Sequence, residues 1–242
     1  MTFKVLVPVF PGYNTLDLHG PYEVLKNSAL PGDIFDIMVA SATELTKSCE
    51  GARVPRDISF EDVLGNKESG KGLDDFDAVI VPGGRRWAID AVLESPNGGA
   101  GILDLIEKFA NLESQGKERW LISVCTGSEL MAARGIFAGK TATSHWAALD
   151  LLKATGQQYA QEHQVAAIDV QKTRFVDAGK NAKGVRIASS GGVCCGIDCT
   201  LWYVSEVVSI EAAKETAHFM DYNWSFVDVP STMGHILAGE KG

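Results

Sequence analysis

The sequence predicts an α/β protein built on a doubly wound, mostly parallel sheet that is flanked by helices. Strand-like runs alternate with helix-like segments along all 242 residues, which is the pattern of parallel strands joined by helices. The strand-like runs are continuously apolar, as expected when helices cover both faces of the sheet. Ligands bind such sheets at the carboxyl ends of the strands, so residues that directly follow a strand are the first candidates for a functional site.

The strands are predicted by short runs rich in β-branched and aromatic residues. A polar, glycine-rich loop at residues 64–75 separates the second predicted strand from the third. In chain order, the predicted strands are Lys4–Phe10, Phe35–Ser41, Phe76–Val81, Trp120–Val124, Arg174–Asp177 and Val185–Ser189.

The helices are predicted by apolar periodicity and by start signals. Gly20-Pro21 is interpreted as the start of the first helix, because proline is favoured at the first helical position. A helix of small residues follows Val124 directly. Further helices are predicted at Ile102–Leu112, Trp146–Thr155, Val193–Val208 and Glu211–Tyr222. We expect a single catalytic domain over residues 1–230 and a C-terminal tail over residues 231–242.

Composition narrows the classes of partner. Acidic residues outnumber basic ones by 31 to 22, and the net charge of −9 does not suit binding to a phosphate backbone. No apolar run approaches the ~18 residues of a membrane span, and Met1–Phe10 lacks a signal-peptide cleavage site. The five cysteines are odd in number and show no CxxC spacing, which argues against a disulfide framework or a zinc site. We therefore expect a cytoplasmic protein that binds neither nucleic acid nor membrane.

The strongest chemical signal is Cys125, which lies where a buried strand runs directly into a helix. Such a strand-to-helix turn exposes a nucleophile at the edge of the sheet. Thr126 and Glu129 match a capping box for the new helix, and the helix N-terminus is expected to lower the pKa of the thiol. The alternative interpretation is a buried cysteine that acts as a small apolar residue.

Two other strand ends carry candidate site residues. Asp17 lies between two leucines, where an apolar setting raises the pKa of a carboxyl group and lets it give or accept a proton. It could equally be an acid that caps the helix expected at Gly20-Pro21. Gly83 and Gly84 follow Val81, and their N–H groups are candidates for stabilising a developing negative charge. An ordinary turn is the alternative for them.

Four residues are weaker candidates for the substrate pocket: His145, Trp146, Cys194 and Ile197. His145 could act as a base for Cys125, although a helix-start residue with a satisfied ring is the interpretation we favour. A metal site at Cys195 and Cys199 is conceivable because the two lie on one helix face, but no histidine is near them in sequence. We favour packing for those cysteines and expect no metal.

Residues 3–226 resemble the ThiJ/PfpI superfamily, whose fold is flavodoxin-like and class I glutamine amidotransferase-like. Protease-like members of that superfamily have histidine where this chain has Thr126, and they and the deglycase-like members tend to use glutamate where it has Asp17. The isocyanide hydratase branch is the most similar. Its motifs correspond to Leu16-Asp17-x-x-Gly20-Pro21-Tyr22-Glu23-Val24, Val124-Cys125-Thr126-Gly127-Ser128, Thr143-Ser144-His145-Trp146, Gly191-Gly192-Val193 and Gly196-Ile197-Asp198.

The resemblance implies a lyase that hydrates isocyanides (isonitriles) to N-substituted formamides through a covalent thioimidate. In that reaction Cys125 is the nucleophile, Asp17 handles the proton at the reacting carbon, and Thr126 binds and orients the substrate. Gly84 supplies a backbone donor. The resemblance also implies a small-molecule substrate, no metal or organic cofactor, and a homodimer with its sites near the interface.

Two other functions are compatible with the same cysteine. One is a glyoxalase or deglycase that processes reactive aldehydes through a hemithioacetal, and the other is a redox-sensing or ligand-binding protein in which Cys125 is oxidised. Some AraC-type regulators carry a similar domain, but no helix-turn-helix pattern follows residue 226, so a DNA-binding regulator is not expected. The chain departs from the family pattern at Cys194-Cys195, residues 64–75 and residues 179–184, which affects the expected substrate shape more than the chemistry.

Overall fold

The computed structural model describes residues 2–28, 32, 34–66, 70–95, 101–113, 116–224 and 235–236. The strands, in chain order, are β1 (Phe3–Pro8), β2 (Phe35–Ser41), β3 (Leu45–Lys47), β4 (Arg53–Pro55), β5 (Ile58–Ser59), β6 (Ala78–Val81), β7 (Arg119–Ser123), β8 (Thr141–Ala142), β9 (Asp169–Val170), β10 (Phe175–Lys180), β11 (Val185–Ser190) and β12 (His235–Ile236). The helices are α1 (Thr15–Asn27), α2 (Arg86–Glu94), α3 (Ile102–Ala110), α4 (Gly127–Ala132), α5 (Leu149–His163), α6 (Cys195–Val207) and α7 (Ile210–Phe219). Short helical turns lie at Asp62–Asn66, Leu73–Asp75 and Trp146–Ala148.

Eight strands form the central sheet, in the order β12-β10-β11-β7-β6-β1-β2-β5. Neighbouring strands are parallel from β5 to β11, whereas β10 runs antiparallel to both β11 and β12. Two groups of helices flank the sheet: α1 packs with α6 and α7, and α4 packs with α2, α3 and α5. This architecture confirms the predicted doubly wound, mostly parallel fold.

The core holds the central strands rigidly. Strands β6 and β7 are buried along their whole length, which explains their continuously apolar sequences. Trp120 of β7 packs edge-on against Trp202 and Tyr203 of α6, with ring centroids 5.4 and 5.1 Å apart. Because β1, β6 and β7 are neighbours, the segments that follow Pro8, Val81 and Ser123 meet at one edge of the sheet.

The first helix begins at Thr15, so the prediction that Gly20-Pro21 starts it was wrong. Asn14 is the N-cap residue, and its side chain accepts hydrogen bonds from the N–H groups of Leu16 and Asp17 at 3.1 and 3.2 Å. Pro21 lies inside the helix, where it lacks the N–H that would otherwise bond to the Asp17 carbonyl. Asp17 therefore lies in the first turn of α1.

The predicted capping box at the start of α4 was also wrong. Thr126 makes no side-chain capping bond, because its hydroxyl is bonded to the backbone of Gly84. The carboxyl group of Glu129 instead accepts a hydrogen bond from Arg86 of α2. Tertiary partners thus replace the local cap.

Other differences from the sequence prediction concern element bounds. Helix α2 was not predicted, and the segment predicted as one helix at Trp146–Thr155 is a short turn followed by α5, which extends to His163. The predicted loop at 64–75 contains parts of two helical turns, and residues 67–69 lie outside the described residues. The expected tail, 231–242, lies outside them as well, apart from β12. No helix in the described ranges is long and apolar enough to span a membrane.

Candidate active site

Cys125 lies at a sharp turn between β7 and α4. Its φ of +58° is in the left-handed region that non-glycine residues rarely adopt, as the abrupt switch from strand to helix predicts. The turn is held by the Cys125 N–H, which donates to the carbonyls of Ser190 and Gly191 at 3.1 Å, and by the Ser144 hydroxyl, which donates to the Cys125 carbonyl. These bonds fix the thiol at the carboxyl edge of the sheet.

The pKa of the Cys125 thiol is raised to about 12, mainly by burial and further by the nearby charge of Asp17. The N–H groups of Thr126 and Val193 donate to the sulfur and oppose this rise. The expected lowering of the thiol pKa by the helix N-terminus is therefore outweighed, because the side chain is only 6% exposed and has a carboxyl neighbour.

Val193 is a site residue that the sequence analysis did not single out. Its φ of +47° is unusual for a β-branched residue, and its N–H donates to the Cys125 sulfur. The preceding Gly191-Gly192 pair was the available signal, because glycines often surround a backbone group that approaches another group closely. The N–H groups of Thr126 and Val193 are thus directed at the sulfur, together with the side chain of Thr126.

The Asp17 side chain is completely buried and belongs to the same site. Its Oδ2 accepts a hydrogen bond from the Gly83 N–H at 3.1 Å. Burial raises the pKa of the Asp17 carboxyl to about 7, while the Gly83 N–H and the Cys125 thiol act in the opposite direction. A carboxyl group in this state can both give and accept a proton at neutral pH.

Gly83 and Gly84 hold the other site residues in place. The Gly84 N–H donates to the Thr126 hydroxyl, which in turn donates to the Gly84 carbonyl, both at 2.9 Å. A Cβ at Gly83 would lie 2.6 Å from Thr126 Oγ1 and 3.0 Å from Asp17 Oδ2. Both glycine N–H groups are engaged by side chains, which gives them a positioning role in the structure; their role in charge stabilisation stays a prediction.

A cavity of about 390 Å³ opens beside the Cys125 thiol. Helices α2, α4 and α5 and the loops around Cys125 form its walls. Its lining residues are Asn14, Gly84, Arg85, Arg86, Cys125, Thr126, Glu129, His145, Ala147, Ala148, Leu151 and Val193. From the sequence, Glu129 was expected only as part of a helix cap, and Arg86 was not expected at the site.

The four weaker pocket candidates are not gathered at this cavity. His145 lines it, but the ring Nδ1 accepts a hydrogen bond from the Ala147 N–H at 3.2 Å, as expected for a helix-start residue. Trp146 is 71% exposed and lines a neighbouring cavity of about 550 Å³, together with Cys195. Cys194 is exposed, and Ile197 packs against Gly20 of α1; neither lines the 390 Å³ cavity.

In the part of the chain that the structure describes, no group of three or more His, Cys, Asp or Glu side chains could hold a metal ion. Cys195 and Cys199 lie on α6, where burial raises the pKa of each thiol. The site holds the Cys125 thiol, the Asp17 carboxyl and backbone N–H donors, and Glu129 and Arg86 lie in the wall of the cavity.

Residues 3–180 match the family model described as the DJ-1/PfpI family. An isonitrile hydratase of Pseudomonas putida is 30% identical over 226 residues, which cover 92% of this chain and 79% of that protein. A THiJ/PfpI family protein from Pseudomonas syringae has a similar structure, with a TM-score of 0.69 at 21% identity over 96% of this chain and 80% of that one. Oxidized DJ-1 of Toxoplasma gondii gives a TM-score of 0.65 at 17% identity, over 92% and 100% of the two chains. These two structures share the fold.

Proposed function

Because this chain belongs to the DJ-1/PfpI family, we propose that it is a cysteine-dependent isocyanide hydratase, which adds water to R–N≡C and releases an N-substituted formamide. The observation that carries the proposal is the completely buried Asp17 carboxyl, which is hydrogen-bonded to the Cys125 thiol. Cys125 itself lines the 390 Å³ cavity, whereas Asp17 lies behind it and is not among the lining residues. The similarity to the isonitrile hydratase of Pseudomonas putida over 92% of this chain supports the same reaction.

The first half of the reaction joins sulfur to the isocyanide carbon. That carbon carries a lone pair, so it takes up a proton and becomes electrophilic as it does so. The thiol proton of Cys125 passes to the Asp17 carboxylate, which delivers it to the carbon while the sulfur attacks. One S–H bond is replaced by an S–C and a C–H bond, which gives the thioimidate R–N=CH–S. The N–H groups of Thr126 and Val193 stabilise the negative charge on sulfur as its proton leaves.

The second half releases the product. Water attacks the thioimidate carbon while Asp17, now a carboxylate, accepts one of its protons. The second proton of the water passes in net terms from the new hydroxyl group to the nitrogen, the S–C bond breaks as the carbonyl forms, and the sulfur recovers its proton from Asp17. Over the cycle, water supplies the formyl oxygen and two hydrogens, one on carbon and one on nitrogen.

The test is turnover of a simple aryl isocyanide by the purified protein, with formamide measured by liquid chromatography and mass spectrometry. We expect Cys125→Ala to release no formamide. Asp17→Asn keeps the shape of the carboxyl group but cannot transfer a proton, so its rate should fall ~10²–10⁴-fold. Cys194→Ala, which changes an exposed thiol outside the 390 Å³ cavity, is the matched control and should behave as wild type.

Methylglyoxal consumption is measured side by side for the same proteins. Faster turnover of methylglyoxal than of the isocyanide would contradict the proposal and place the protein among aldehyde-processing enzymes. Turnover of neither substrate, with ready oxidation of Cys125 by peroxide, would favour redox sensing instead.

A further inference from the structure

Glu129 is a buried carboxyl group in the wall of the cavity that Cys125 also lines. It lies in the first turn of α4, four residues after Cys125 in sequence, and both residues line the same cavity. Only 1% of Glu129 is exposed. A carboxyl group in the wall of the cavity that the thiol also lines faces the space that a molecule bound to that thiol would occupy.

The contacts of Glu129 leave one oxygen unused. Its Oε2 accepts a hydrogen bond from Arg86 Nη1, and the same guanidinium binds Asp90 Oδ1 at 2.6 Å, which fixes the orientation of the carboxyl group. Oε1 is buried and accepts no hydrogen bond from any residue in the described ranges. An unsatisfied buried oxygen costs ~1–3 kcal/mol, so its presence in a cavity wall calls for a partner.

The proposed hydration requires a proton donor for the substrate nitrogen in addition to Asp17. When water adds to the thioimidate, the nitrogen must gain a proton at the moment when Asp17 is accepting one from the water. Asp17 is bonded to the Gly83 N–H, whereas Glu129 is held by Arg86 of α2, on the wall of the cavity that has room for the rest of the substrate. Two carboxyl groups in separate positions can serve two atoms of one intermediate.

We propose that Glu129 is a second acid of the reaction, which gives its proton to the substrate nitrogen as water adds to the thioimidate; this inference rests on the proposed isocyanide hydration. The C=N bond becomes a C–N single bond, an N–H and a C–O bond form, and Glu129 is left as a carboxylate. The S–C bond then breaks. The hydroxyl group that the water left on the carbon gives its proton to Glu129, and a carbonyl group forms. Burial raises the pKa of Glu129, against the opposing effect of Arg86 and with a further rise from Asp90.

The test measures the two halves of the reaction, adduct formation and formamide release, separately in the Glu129→Gln variant. A single-turnover experiment follows the covalent adduct, protein plus one isocyanide, by intact-protein mass spectrometry, and formamide by chromatography. We expect adduct formation to stay within about threefold of wild type and formamide release to fall ~10²-fold, so that the adduct accumulates. Glu107→Gln makes the same chemical change on α3, away from the 390 Å³ cavity, and should show no accumulation.

Each other outcome has a defined meaning. Formamide release at the wild-type rate, or equal slowing of both halves, would overturn the role of Glu129 and leave the proposed function standing. No formamide from the wild-type protein would remove the proposed function and this inference together. If Glu129→Gln does not fold, Glu129→Asp decides, because a shorter acid should slow release selectively and unchanged release would refute the inference.

Discussion

Replacing Asp17 with asparagine should change how the stability of the protein depends on pH. Burial raises the pKa of this carboxyl group from 3.8 to about 7, against the opposing effects of the Gly83 N–H and the Cys125 thiol. In the unfolded chain the group returns to its ordinary pKa. Between these two values the folded state keeps a proton that the unfolded state has lost, so rising pH favours unfolding.

The size of the effect follows from the same values. Each pH unit in this window changes the free energy of unfolding by ~1.4 kcal/mol. The contribution of Asp17 to stability is complete below pH 3.8 and is lost as pH rises to about 7, a total of about 4 kcal/mol. Asparagine has a similar shape and does not titrate. The difference in unfolding free energy between Asp17→Asn and wild type should therefore grow by ~2 kcal/mol from pH 5 to pH 7 and level off by about pH 8.

Urea denaturation followed by circular dichroism at pH 5, 6, 7 and 8, under reducing conditions, measures this difference. Asp104→Asn makes the same substitution at an exposed position and should give a nearly constant difference from wild type. If Asp17→Asn and wild type instead differ by a constant amount within ~0.5 kcal/mol, as surface substitutions do, then Asp17 is ionised in the folded state and the proposed proton transfer loses its basis.

Further predictions concern the same site and the assembly. Gly83→Ala should lower kcat/KM for the isocyanide about 10²-fold, because the new Cβ would lie 2.6 Å from Thr126 Oγ1 and 3.0 Å from Asp17 Oδ2. Thr126→Val should lower the free energy of unfolding by ~1–3 kcal/mol in urea denaturation, since it removes the partner of the Gly84 N–H, whereas Thr126→Ser should not. At pH 8, iodoacetamide should modify Cys125 of the wild-type protein more slowly than it modifies a small free thiol. Cys125 of the Asp17→Asn variant should react faster than that of wild type, because the charge of Asp17 raises the thiol pKa. Peptide mapping measures both rates. A homodimer is expected, and light scattering should then give twice the chain mass of 26.0 kDa.

The fold was predictable because its signals are local. A strand that is buried on both faces must be apolar at every position, and β6 and β7 were found from that pattern alone. Helix α1 was misplaced because Gly20-Pro21 imitates a helix start, while the actual cap, Asn14, sits in a segment that also bonds to the carbonyl of Gly83 from a distant part of the chain. Helix α2 was missed because its N-cap residue, Arg85, makes no side-chain capping bond.

Only the parts of the site that lie in recognisable sequence motifs were predicted. Asp17 and Cys125 were found because each follows a strand end, and neighbouring strands bring those ends together. The roles of Val193 and Glu129 were missed because they depend on packing between distant segments: the partner of Glu129, Arg86, is 43 residues away in sequence. The thiol pKa was expected to fall because the effect of the helix N-terminus can be read from the sequence. The burial of Cys125 and the charge of Asp17, which raise that pKa, depend on the fold and cannot be read in this way.

The state of the thiol bears on which of the competing functions fits the site. A redox-sensing cysteine is accessible and has a low pKa, because the thiolate is the form that peroxide oxidises. Cys125 is 6% exposed, and burial and Asp17 raise its thiol pKa to about 12. Such a thiol becomes nucleophilic only when a neighbouring base accepts its proton, and Asp17, with a pKa of about 7, is placed to do so. If the proton that leaves the thiol is delivered by Asp17 to a substrate carbon, the sulfur is activated only when a substrate is bound. Addition chemistry uses this coupling, whereas sensing of an oxidant has no use for it, so the protonation state of the pair favours hydration over redox sensing.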